Sequence, residues 1–520
     1  MHENREISRT SCSKEQDRSA KVINQTADMH VLEKSDCAVV PVNQSNREAQ
    51  ASAEAGEGRA QTKENIVQSH MRPTQSGQRM SQGLHGVRQA ARKRKQERFT
   101  ALLHHLNVGL LRDSFYALKR QASPGIDGVK WQEYETGLED RLTDLHGRVH
   151  RGAYRAQPSR RVYIPKADGR QRPLGVAALE DKIIQQAVVT VLNQIYEADF
   201  KGFSYGFRSG RGPHQALDAL TVGIQRKRVN WVIDADIRGF FDNMSHEWIM
   251  NFIEHRVADR RMLRLIQKWL KAGVSEDGQW SETKVGTPQG AVVSPLLANV
   301  YLHYVFDLWV EVWRKKVARG DVIAVRYADD LVVGFQHRAD AERFLSEFRD
   351  RLVRFGLELH PDKTRLIEFG RFAVRNLKQR GQGKPETFTF LGFTHFCGNL
   401  TSSGAFNVWR ITAKKRMVAK LHVIKAELQY RKHHRTSDVG AWLRKVVQGY
   451  YQYHAVPGNT GQLRVFRRRV CRLWRSVLVR RSQRAQVGWD RLNPLLNRWI
   501  PHPRVLHPYP DKRFDAIHPR

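Results

Sequence analysis

Apolar residues recur along the chain with two different periods, one typical of strands and one typical of helices. Short runs rich in β-branched residues occur at 231–233 and within 322–335, and they predict buried strands. Apolar side chains spaced by three and four residues occupy 179–192 and 344–355, and they predict helices that pack against a core. The two patterns together predict an α+β fold.

The segment 322–335 reads Val-Ile-Ala-Val-Arg-Tyr-Ala-Asp-Asp-Leu-Val-Val-Gly-Phe, with two apolar runs flanking a polar centre. This pattern predicts a buried hairpin with Asp329 and Asp330 near its bend. Because burying unpaired charge is costly, two adjacent carboxylates predict a nearby cation, and hard oxygen ligands suit Mg²⁺. A surface turn with two solvated aspartates is the alternative interpretation.

A third carboxylate follows the strand predicted at 231–233, where the chain continues Asp-Ala-Asp-Ile-Arg-Gly-Phe-Phe-Asp. Asp236 lies at the end of this strand, a position where binding sites are commonly built. Two Mg²⁺ ions about 3.5–4 Å apart are the usual clamp for in-line displacement at a phosphate. Asp236, Asp329 and Asp330 are therefore the candidate catalytic and metal-binding residues.

A second hairpin is predicted at 160–175, because an Asp-Gly step at 168–169 separates two strand-like runs. Lys166 and Arg172 lie on opposite arms of this hairpin. A hairpin with cations on both arms can close on a triphosphate, since lysine offers a point charge and arginine a planar fork. A solvated basic hairpin is the alternative.

Several motifs occur in a fixed order and resemble those of the group II intron-encoded reverse transcriptase/maturase family. They are Ser-Pro-Gly-Ile-Asp-Gly at 123–128, Asp-Ile-Arg-Gly-Phe-Phe-Asp at 236–242, Gly-Thr-Pro-Gln-Gly-Ala-Val-Val-Ser-Pro at 286–295 and Tyr-Ala-Asp-Asp at 327–330. The resemblance runs from about residue 123 to residue 489. It implies a right-hand polymerase with fingers, a palm and a helical thumb that is also the maturase X domain.

The resemblance also divides the chain into regions. Residues 1–85, which are rich in Ser, Gln, Asn, Glu and Ala without an apolar period, lie outside it and predict a disordered leader. The expected regions that follow are fingers at 86–230, palm at 231–396, thumb at 397–485 and a C-terminal tail at 486–520.

The resemblance further assigns roles around an incoming nucleotide. It places the triphosphate grip at Lys166 and Arg172 and a nucleotide contact at Gln289. It places Phe241 beneath the sugar, where a ring would exclude a 2′-hydroxyl, although simple core packing is the alternative. Lys363 matches a lysine proposed to protonate pyrophosphate, a general-acid role, with an ordinary surface lysine as the alternative.

Two further features follow from the same resemblance. The backbone of Ile237 joins Asp236, Asp329 and Asp330 as a ligand of two Mg²⁺ ions. The segment Phe-Ser-Tyr-Gly-Phe-Arg at 203–208 resembles a family motif, and it makes Arg208 and Arg211 either template or nucleotide contacts or plain surface charge.

Charge changes the picture of the partner. The chain carries 88 Lys and Arg residues against 52 Asp and Glu, a net charge of +36, which points to nucleic acid. Residues 466–481 place apolar side chains on one helical face and arginines largely elsewhere. Guanidinium groups in such a stripe suit phosphates. The candidate RNA-binding residues there are Arg467, Arg468, Arg472 and Arg475.

The remaining composition bounds the cellular setting. Four widely spaced cysteines give no paired zinc-binding motif, and they fit a reducing compartment. The chain shows no apolar signal segment and no apolar run long enough to cross a membrane. A cytoplasmic protein without a membrane partner is expected.

The leading hypothesis is an RNA-directed DNA polymerase of a group II intron that also binds the intron RNA and promotes its splicing and mobility. Its expected partners are intron RNA, an RNA template with a DNA primer, and deoxynucleoside triphosphates. One alternative is an RNA-binding splicing cofactor that does not polymerise. Another is a reverse transcriptase used in defence or diversification.

Overall fold

A computed structural model describes residues 75–165, 171–400, 402–481 and 488–517. Its α-helices, in chain order, are α1 Gln75–Lys93, α2 Val108–Ala117, α3 Trp131–Glu135, α4 Leu138–His150, α5 Leu179–Asp199, α6 Pro213–Arg226, α7 Phe240–Asn243, α8 His246–Glu254, α9 Arg260–Lys271, α10 Ser294–Leu302, α11 Leu308–Lys316, α12 Arg338–Arg354, α13 Ala373–Gln379, α14 Lys414–Tyr430, α15 Thr436–His454, α16 Thr460–Val479, α17 Trp489–Trp499 and α18 Pro510–Ile517. A 3₁₀ turn at Leu103–His105 and a π-helical turn at His303–Asp307 complete the helical elements.

The strands are β1 Ser159–Pro165, β2 Gln171–Val176, β3 Trp231–Asp236, β4 Val274–Glu276, β5 Gln279–Ser281, β6 Val322–Tyr327, β7 Asp330–Phe335, β8 Arg365–Glu368, β9 Phe388–Phe390, β10 Phe393–Asn399 and β11 Phe406–Thr412. They form three sheets, ordered β6-β7-β3-β8, β2-β1-β4-β5 and β11-β10-β9. The mixture of helices and mostly antiparallel strands agrees with the predicted α+β class.

The sheet β6-β7-β3-β8 separates two hydrophobic cores. Strand residues alternate between faces, so every second side chain of β3 and β7 points the same way. Ile233 and Leu331 face a large core shared with α2, α4, α5, α8, α9, α10 and α12. Val232 and Val332 face a second core made with α6 and the strands β9–β11. The acidic ends of β3 and β7 therefore emerge from a scaffold that is packed on both sides.

Helix α5 is deeply embedded in the large core, as its apolar period predicts. Ile183, Ile184, Ala187, Val188 and Val191 have no exposed surface. In the sheet β2-β1-β4-β5, strands β1 and β4 run parallel, and their pairing includes a hydrogen bond from the backbone N–H of Ser159 to the carbonyl of Gly273 at 3.1 Å.

The C-terminal helices α14–α17 pack around a third core that includes Phe466, Val470 and Trp474. These side chains belong to the apolar face predicted for residues 466–481, and all three are fully buried. Strands β9–β11 precede these helices as one sheet, so a boundary at residue 397 would divide β10. The helical region begins at Lys414.

Both chain ends differ from their predicted descriptions where the structure covers them. Residues 75–85 belong to α1, whereas the sequence predicted a disordered leader to residue 85, and the preceding part of that leader lies outside the described residues. The region predicted as a tail contains α17 and α18. Helix α18 is held on α6 by a bidentate ion pair of Arg226 with Asp515, at 2.7 and 2.8 Å. In the described ranges, no helix is both long enough and apolar enough to cross a bilayer.

Candidate active site

The predicted hairpin is present, and its pairing with strand β3 places the candidate carboxylates Asp236 and Asp330 side by side. Strands β6 and β7 are joined by Ala328 and Asp329, and Ala328 adopts a left-handed conformation with φ of 56°. In the antiparallel pair of β3 and β7, Asp236 is the direct partner of Asp330. Such partners have Cα atoms about 4.5–5.5 Å apart. Both residues are less than a tenth exposed, and Asp329 at the bend is half-buried.

Two cations, Lys363 just before β8 and Arg365 at its first position, lie beside the carboxylates of β3. Lys363 Nζ lies 3.1 Å from Asp236 Oδ2, and Arg365 Nη2 lies 3.7 Å from Asp234 Oδ2. The spacing of two residues on both strands puts these pairs on one face of the sheet. Lys363 is 20% exposed and engaged with Asp236, and its role as a general acid stays a prediction.

The donor chemistry of this strand end fits Mg²⁺, since carboxylate oxygens are its preferred protein ligands. Across the described ranges, however, no three His, Cys, Asp or Glu side chains form a ready metal-binding group. The geometry shows a carboxylate pair at Asp236 and Asp330 with an ammonium group at Asp236. The backbone of Ile237, another predicted ligand, lies in an isolated bridge with Leu359. Binding of Mg²⁺ here stays a prediction.

Two residues predicted to contact the nucleotide meet on a neighbouring surface. Arg172 Nε donates a 2.8 Å hydrogen bond to Gln289 Oε1, and the backbone N–H of Gly175 donates to the carbonyl of Gln289 at 2.7 Å. These contacts fasten the loop 286–290 to strand β2. Lys166, the other predicted cation of this hairpin, lies outside the described residues.

The same loop also contacts the helix that follows Asp236. The backbone N–H of Thr287 donates to the carbonyl of Phe241 at 2.8 Å. Gly286 has φ of 83°, and a Cβ there would lie 2.6 Å from the carbonyl oxygen of Asp242, so only glycine fits. The half-buried Phe241 ring makes an edge contact with Phe207, with ring centroids 6.4 Å apart. One side of the Phe241 ring therefore packs against the protein, and the role of this ring as a sugar gate stays a prediction.

Sequence reasoning missed the group that supports the hairpin bend. Arg326 and Asp307 are completely buried and form a bidentate pair, with Nε–Oδ1 at 2.7 Å and Nη2–Oδ2 at 2.6 Å. Arg326 Nη1 also donates to Asn299 Oδ1 at 3.0 Å and to the carbonyl of Ala328 at 3.2 Å. One guanidinium group thus holds the residue that precedes Asp329. A lone arginine inside an apolar strand was the available signal.

The charge state of Asp307 reflects this contact. Burial raises the pKa of the Asp307 carboxyl, but the Arg326 guanidinium, with help from His303, outweighs burial and leaves the pKa below its ordinary value. The pair is therefore ionised inside the core.

The segment 203–208 pairs with strand β6, which is the edge strand of the sheet β6-β7-β3-β8. The backbone N–H of Tyr205 donates to the carbonyl of Arg326 at 2.8 Å, and the Arg326 N–H donates to the carbonyl of Phe203 at 2.9 Å. A Cβ on Gly206 would lie 2.3 Å from the backbone nitrogen of Ala328. This motif therefore covers the edge of β6 and packs against the bend.

Arg208 and Arg211 both form contacts inside the protein and are not plain surface charge. Arg208 is 3% exposed and pairs with Glu197 at 2.9 Å. Arg211 is half-buried, and its Nη1 donates to the carbonyl of Gly202 at 2.6 Å. Both guanidinium groups stabilise the segment itself, and a contact of Arg211 with template or nucleotide stays a prediction.

The arginines predicted to bind RNA on α16 fall into two groups. Arg467 Nη2 donates to Asn497 Oδ1 at 2.7 Å, and the Arg475 guanidinium lies 4.9 Å from the Trp489 ring centroid, so both fasten α16 to α17. Arg468 and Arg472 are exposed to solvent. RNA binding by the exposed pair stays a prediction, whereas the other pair has a role within the fold.

Comparison with known proteins agrees with this geometry. Residues 164–395 match the family described as reverse transcriptase (RNA-dependent DNA polymerase). The chain is 34% identical over 276 residues to Protein YkfC of Escherichia coli (strain K12), and the alignment covers 47% of this chain and 72% of that protein. The matched family region contains every candidate catalytic residue.

The names of two further relatives refer to introns. The chain is 36% identical over 217 residues to the group II intron-encoded protein LtrA of Lactococcus lactis subsp. cremoris, covering 41% of this chain but only 36% of that protein. It is 40% identical over 146 residues to an uncharacterized 91 kDa protein in the cob intron of Schizosaccharomyces pombe, covering 28% of this chain and 18% of that protein.

The buried pair beneath the bend gives a first prediction. Arg326→Leu leaves the Asp307 carboxylate buried without its partner, which should lower the free energy of unfolding by roughly 3–5 kcal/mol. Arg343→Leu is the matched control, because Arg343 forms an exposed pair with Glu347 that contributes about 0–1 kcal/mol. Urea denaturation measures the free energy of unfolding of both variants. Equal midpoints for Arg326→Leu and wild type would contradict the role of Arg326 in stabilising the hairpin bend.

The lowered pKa of Asp307 gives a second prediction. Since the unfolded chain binds this proton more readily, the pair stabilises the fold above the ordinary aspartate pKa of about 4, and this stability is lost as pH falls further. Asp307→Asn should therefore flatten the decrease of unfolding free energy below about pH 4. Urea titrations at several pH values measure the difference, and parallel profiles for the two proteins would disprove it.

Proposed function

The chain belongs to the group II intron-encoded reverse transcriptase/maturase family, and from this premise we propose that it is an RNA-directed DNA polymerase that also binds intron RNA and promotes its splicing and mobility. The observation that supports polymerisation most directly is the pairing of Asp236 with Asp330 beside the Ala328–Asp329 bend, with Lys363 in contact. This strand end lies inside the matched region 164–395.

The architecture accommodates a right-hand polymerase. In this proposal the elements that precede β3 form the fingers, and strand β2 among them carries the nucleotide-facing residue Arg172. The sheet β6-β7-β3-β8 forms the palm. Helices α14–α17, which pack around a separate core, form the thumb and the maturase segment. The partners are then an RNA template, a DNA primer and deoxynucleoside triphosphates.

The carboxylates of Asp236, Asp329 and Asp330, with the backbone of Ile237, would hold two Mg²⁺ ions. Bound there, Mg²⁺ supplies Lewis-acid stabilisation of charge at a reacting phosphate. Lys363 keeps a proton at Nζ beside Asp236, where it balances the carboxylate and can donate toward a leaving pyrophosphate.

The residues around the loop 286–290 orient the nucleotide. Arg172 presents a charged fork toward phosphate oxygens, and its hydrogen bond to Gln289 limits the rotamers of both side chains. The Phe241 ring excludes a 2′-hydroxyl by its bulk. Because this loop contacts both strand β2 and the helix after Asp236, it sets the distance between the triphosphate and the carboxylates.

The decisive test is loss of one carboxylate. Asp329→Asn should slow primer extension on an RNA template by at least about 10²–10³-fold, the size of effect seen when a charge-stabilising group is removed from an active site. RNA affinity should stay unchanged, because the substitution is local. Asp350→Asn, at an exposed position of α12, is the control. Extension at the wild-type rate by the Asp329→Asn protein would overturn the assignment.

A wild-type protein that binds RNA and promotes splicing, yet extends no primer, would instead identify a splicing cofactor. Splicing is measured by the rate of intron excision at low Mg²⁺ with and without protein. The two assays separate the polymerase from the maturase component of the proposal.

A second test addresses the nucleotide side. Arg172→Ala should raise the KM for deoxynucleotides by about 10-fold or more, since a hydrogen bond to a charged group contributes roughly 1.5–3 kcal/mol. Arg161→Ala, on the neighbouring strand and near Glu276 at 3.7 Å, is the matched control. Steady-state primer extension measures KM, and equal effects of the two substitutions would remove Arg172 from the nucleotide site.

A further inference from the structure

Helix α9 presents an unusual concentration of positive charge, and it lies outside the site described above. Its sequence is Arg-Arg-Met-Leu-Arg-Leu-Ile-Gln-Lys-Trp-Leu-Lys, without an acidic residue. Met262, Leu265, Ile266, Trp269 and Leu270 are buried in the large core. At 100° per residue, the remaining polar side chains share an arc of about 120° on the opposite side. This basic face consists of Arg260, Arg261, Arg264, Lys268 and Lys271, with Gln267 among them.

The part of the chain that the structure describes places no acidic partner on most of the basic face. Among the described residues, Arg260, Arg261, Arg264 and Lys271 form no ion pair, and all four are exposed. Cations four residues apart on a helix repel each other, at a cost of a few tenths of a kcal/mol per pair. A bound polyanion would remove that repulsion.

Helix α12 shows the contrasting arrangement. Two exposed arginines of α12 have an acidic partner in the same helix, since Arg338 pairs with Glu342 at 2.8 Å and Arg343 pairs with Glu347 at 2.7 Å. Acidic residues within α12 offset part of its positive charge, whereas α9 contains no acidic residue that could do so.

The start of α9 is rigidly held, which fixes the direction of the basic face. The buried Asp259 caps the helix by accepting from the backbone N–H groups of Arg261 at 3.0 Å and Met262 at 3.2 Å. The same carboxylate accepts from the N–H groups of Leu102 and Leu103 at 2.7 and 2.9 Å. Both carboxylate oxygens of Asp259 thus accept backbone hydrogen bonds, and this buried group does not pair with the exposed arginines.

Lys268 extends the basic face onto a neighbouring loop. Its ammonium group donates to the carbonyl of Gly152 at 3.1 Å and to the carbonyl of Tyr154. This contact ties the turn after α4 to the side of α9. Arg155, which follows Tyr154, is exposed beside it and adds a further cation.

An exposed tryptophan stands where the basic face ends. Trp280 on β5 is 59% exposed, and its indole N–H donates to the carbonyl of Ala272 at 3.1 Å. Ala272 directly follows Lys271, so the indole is fixed at the C-terminal end of α9. An exposed aromatic ring held in place beside cations is the arrangement on which unpaired bases stack.

We propose that the basic face of α9, together with Trp280, is a second RNA-binding surface, on which the cations contact backbone phosphates and the indole stacks on an unpaired base. Arginine forks match phosphate geometry. A membrane is a poor fit, because an interfacial helix needs a free apolar face and that of α9 is buried in the core. The inference rests on the proposed function only in taking RNA as the partner.

The position of this surface separates it from the nucleotide side of the protein. Strand β5 with Trp280 and strand β2 with Arg172 form opposite edges of one four-stranded sheet. At about 4.8 Å per strand spacing, the edges lie roughly 14 Å apart. Trp280 and Arg172 therefore belong to different edges of the sheet.

The test uses the full chain and two fluorescein-labelled RNAs, a stem-loop with unpaired loop bases and a fully paired duplex of equal length. Binding is measured by fluorescence anisotropy over a series of salt concentrations. The first variant combines Arg260→Gln, Arg264→Gln and Lys271→Gln. Its control combines Lys316→Gln, Arg349→Gln and Arg354→Gln, which removes the same charge from exposed positions on α11 and α12.

The α9 variant should reduce the magnitude of the slope of log affinity against log salt by about 2–3, because each lost phosphate contact contributes about 0.7–0.9. Affinity for both RNAs should fall at least about 10-fold, while the urea midpoint stays that of wild type. The control variant should keep the wild-type slope. An unchanged slope for the α9 variant, or an equal loss in the control, would overturn the proposal.

Trp280→Ala tests the stacking contact separately. It should weaken binding of the stem-loop by about 10-fold, in the range of one lost base–aromatic contact, and leave binding of the duplex unchanged. Equal effects on both RNAs would reduce the surface to a nonspecific contact with polyanions and overturn the stacking assignment. Failure of the wild-type protein to bind either RNA would count against the proposed function itself, and primer extension by the wild type is measured in parallel to keep the two outcomes apart.

Discussion

The ion pair between Arg326 and Asp307 is the constraint on which the candidate active site depends. Both side chains have lost all contact with water, and removing two charges from water is expensive unless the geometry is good and the remaining donors are used. Here the pair is bidentate, and the same guanidinium group also reaches Asn299 and the carbonyl of Ala328. The guanidinium group of Arg326 thus holds the bend that carries Asp329 from inside the core. Water cannot replace its partners there, because the group is fully buried.

The local backbone is arranged to make this pair possible. Asp307 ends a π-helical turn, His303–Asp307, between α10 and α11. Insertions of this kind change the direction of side chains and often occur near functional sites. On the other side of the bend, Gly206 lets the backbone of 203–208 approach Ala328 more closely than any side chain would allow. Two irregular features therefore converge on one tight turn.

The distribution of the basic residues shows that net charge alone says little about where a polyanion binds. Arg208, Arg326 and Arg410 are buried and paired with carboxylates, so they contribute to the fold and not to the surface field. Arg467 and Arg475 fasten one helix to another. What is left for a partner is a smaller set of exposed cations, and on α9 that set is ordered along a single face. A net charge of +36 predicts that the partner is a polyanion. The packing of the fold determines which cations stay exposed to bind it.

The sequence by itself determined the local elements and the chemistry at their ends. Apolar periodicity predicted the hairpin, the strand ending at Asp236 and helices α5 and α16, because a period of two or 3.6 reflects which side of an element is buried. Only the tertiary structure decided which distant groups meet. It paired Arg172 with Gln289, Lys363 with Asp236 and Arg326 with Asp307. Such partners depend on how sheets and helices pack, and no periodicity along the chain records that choice.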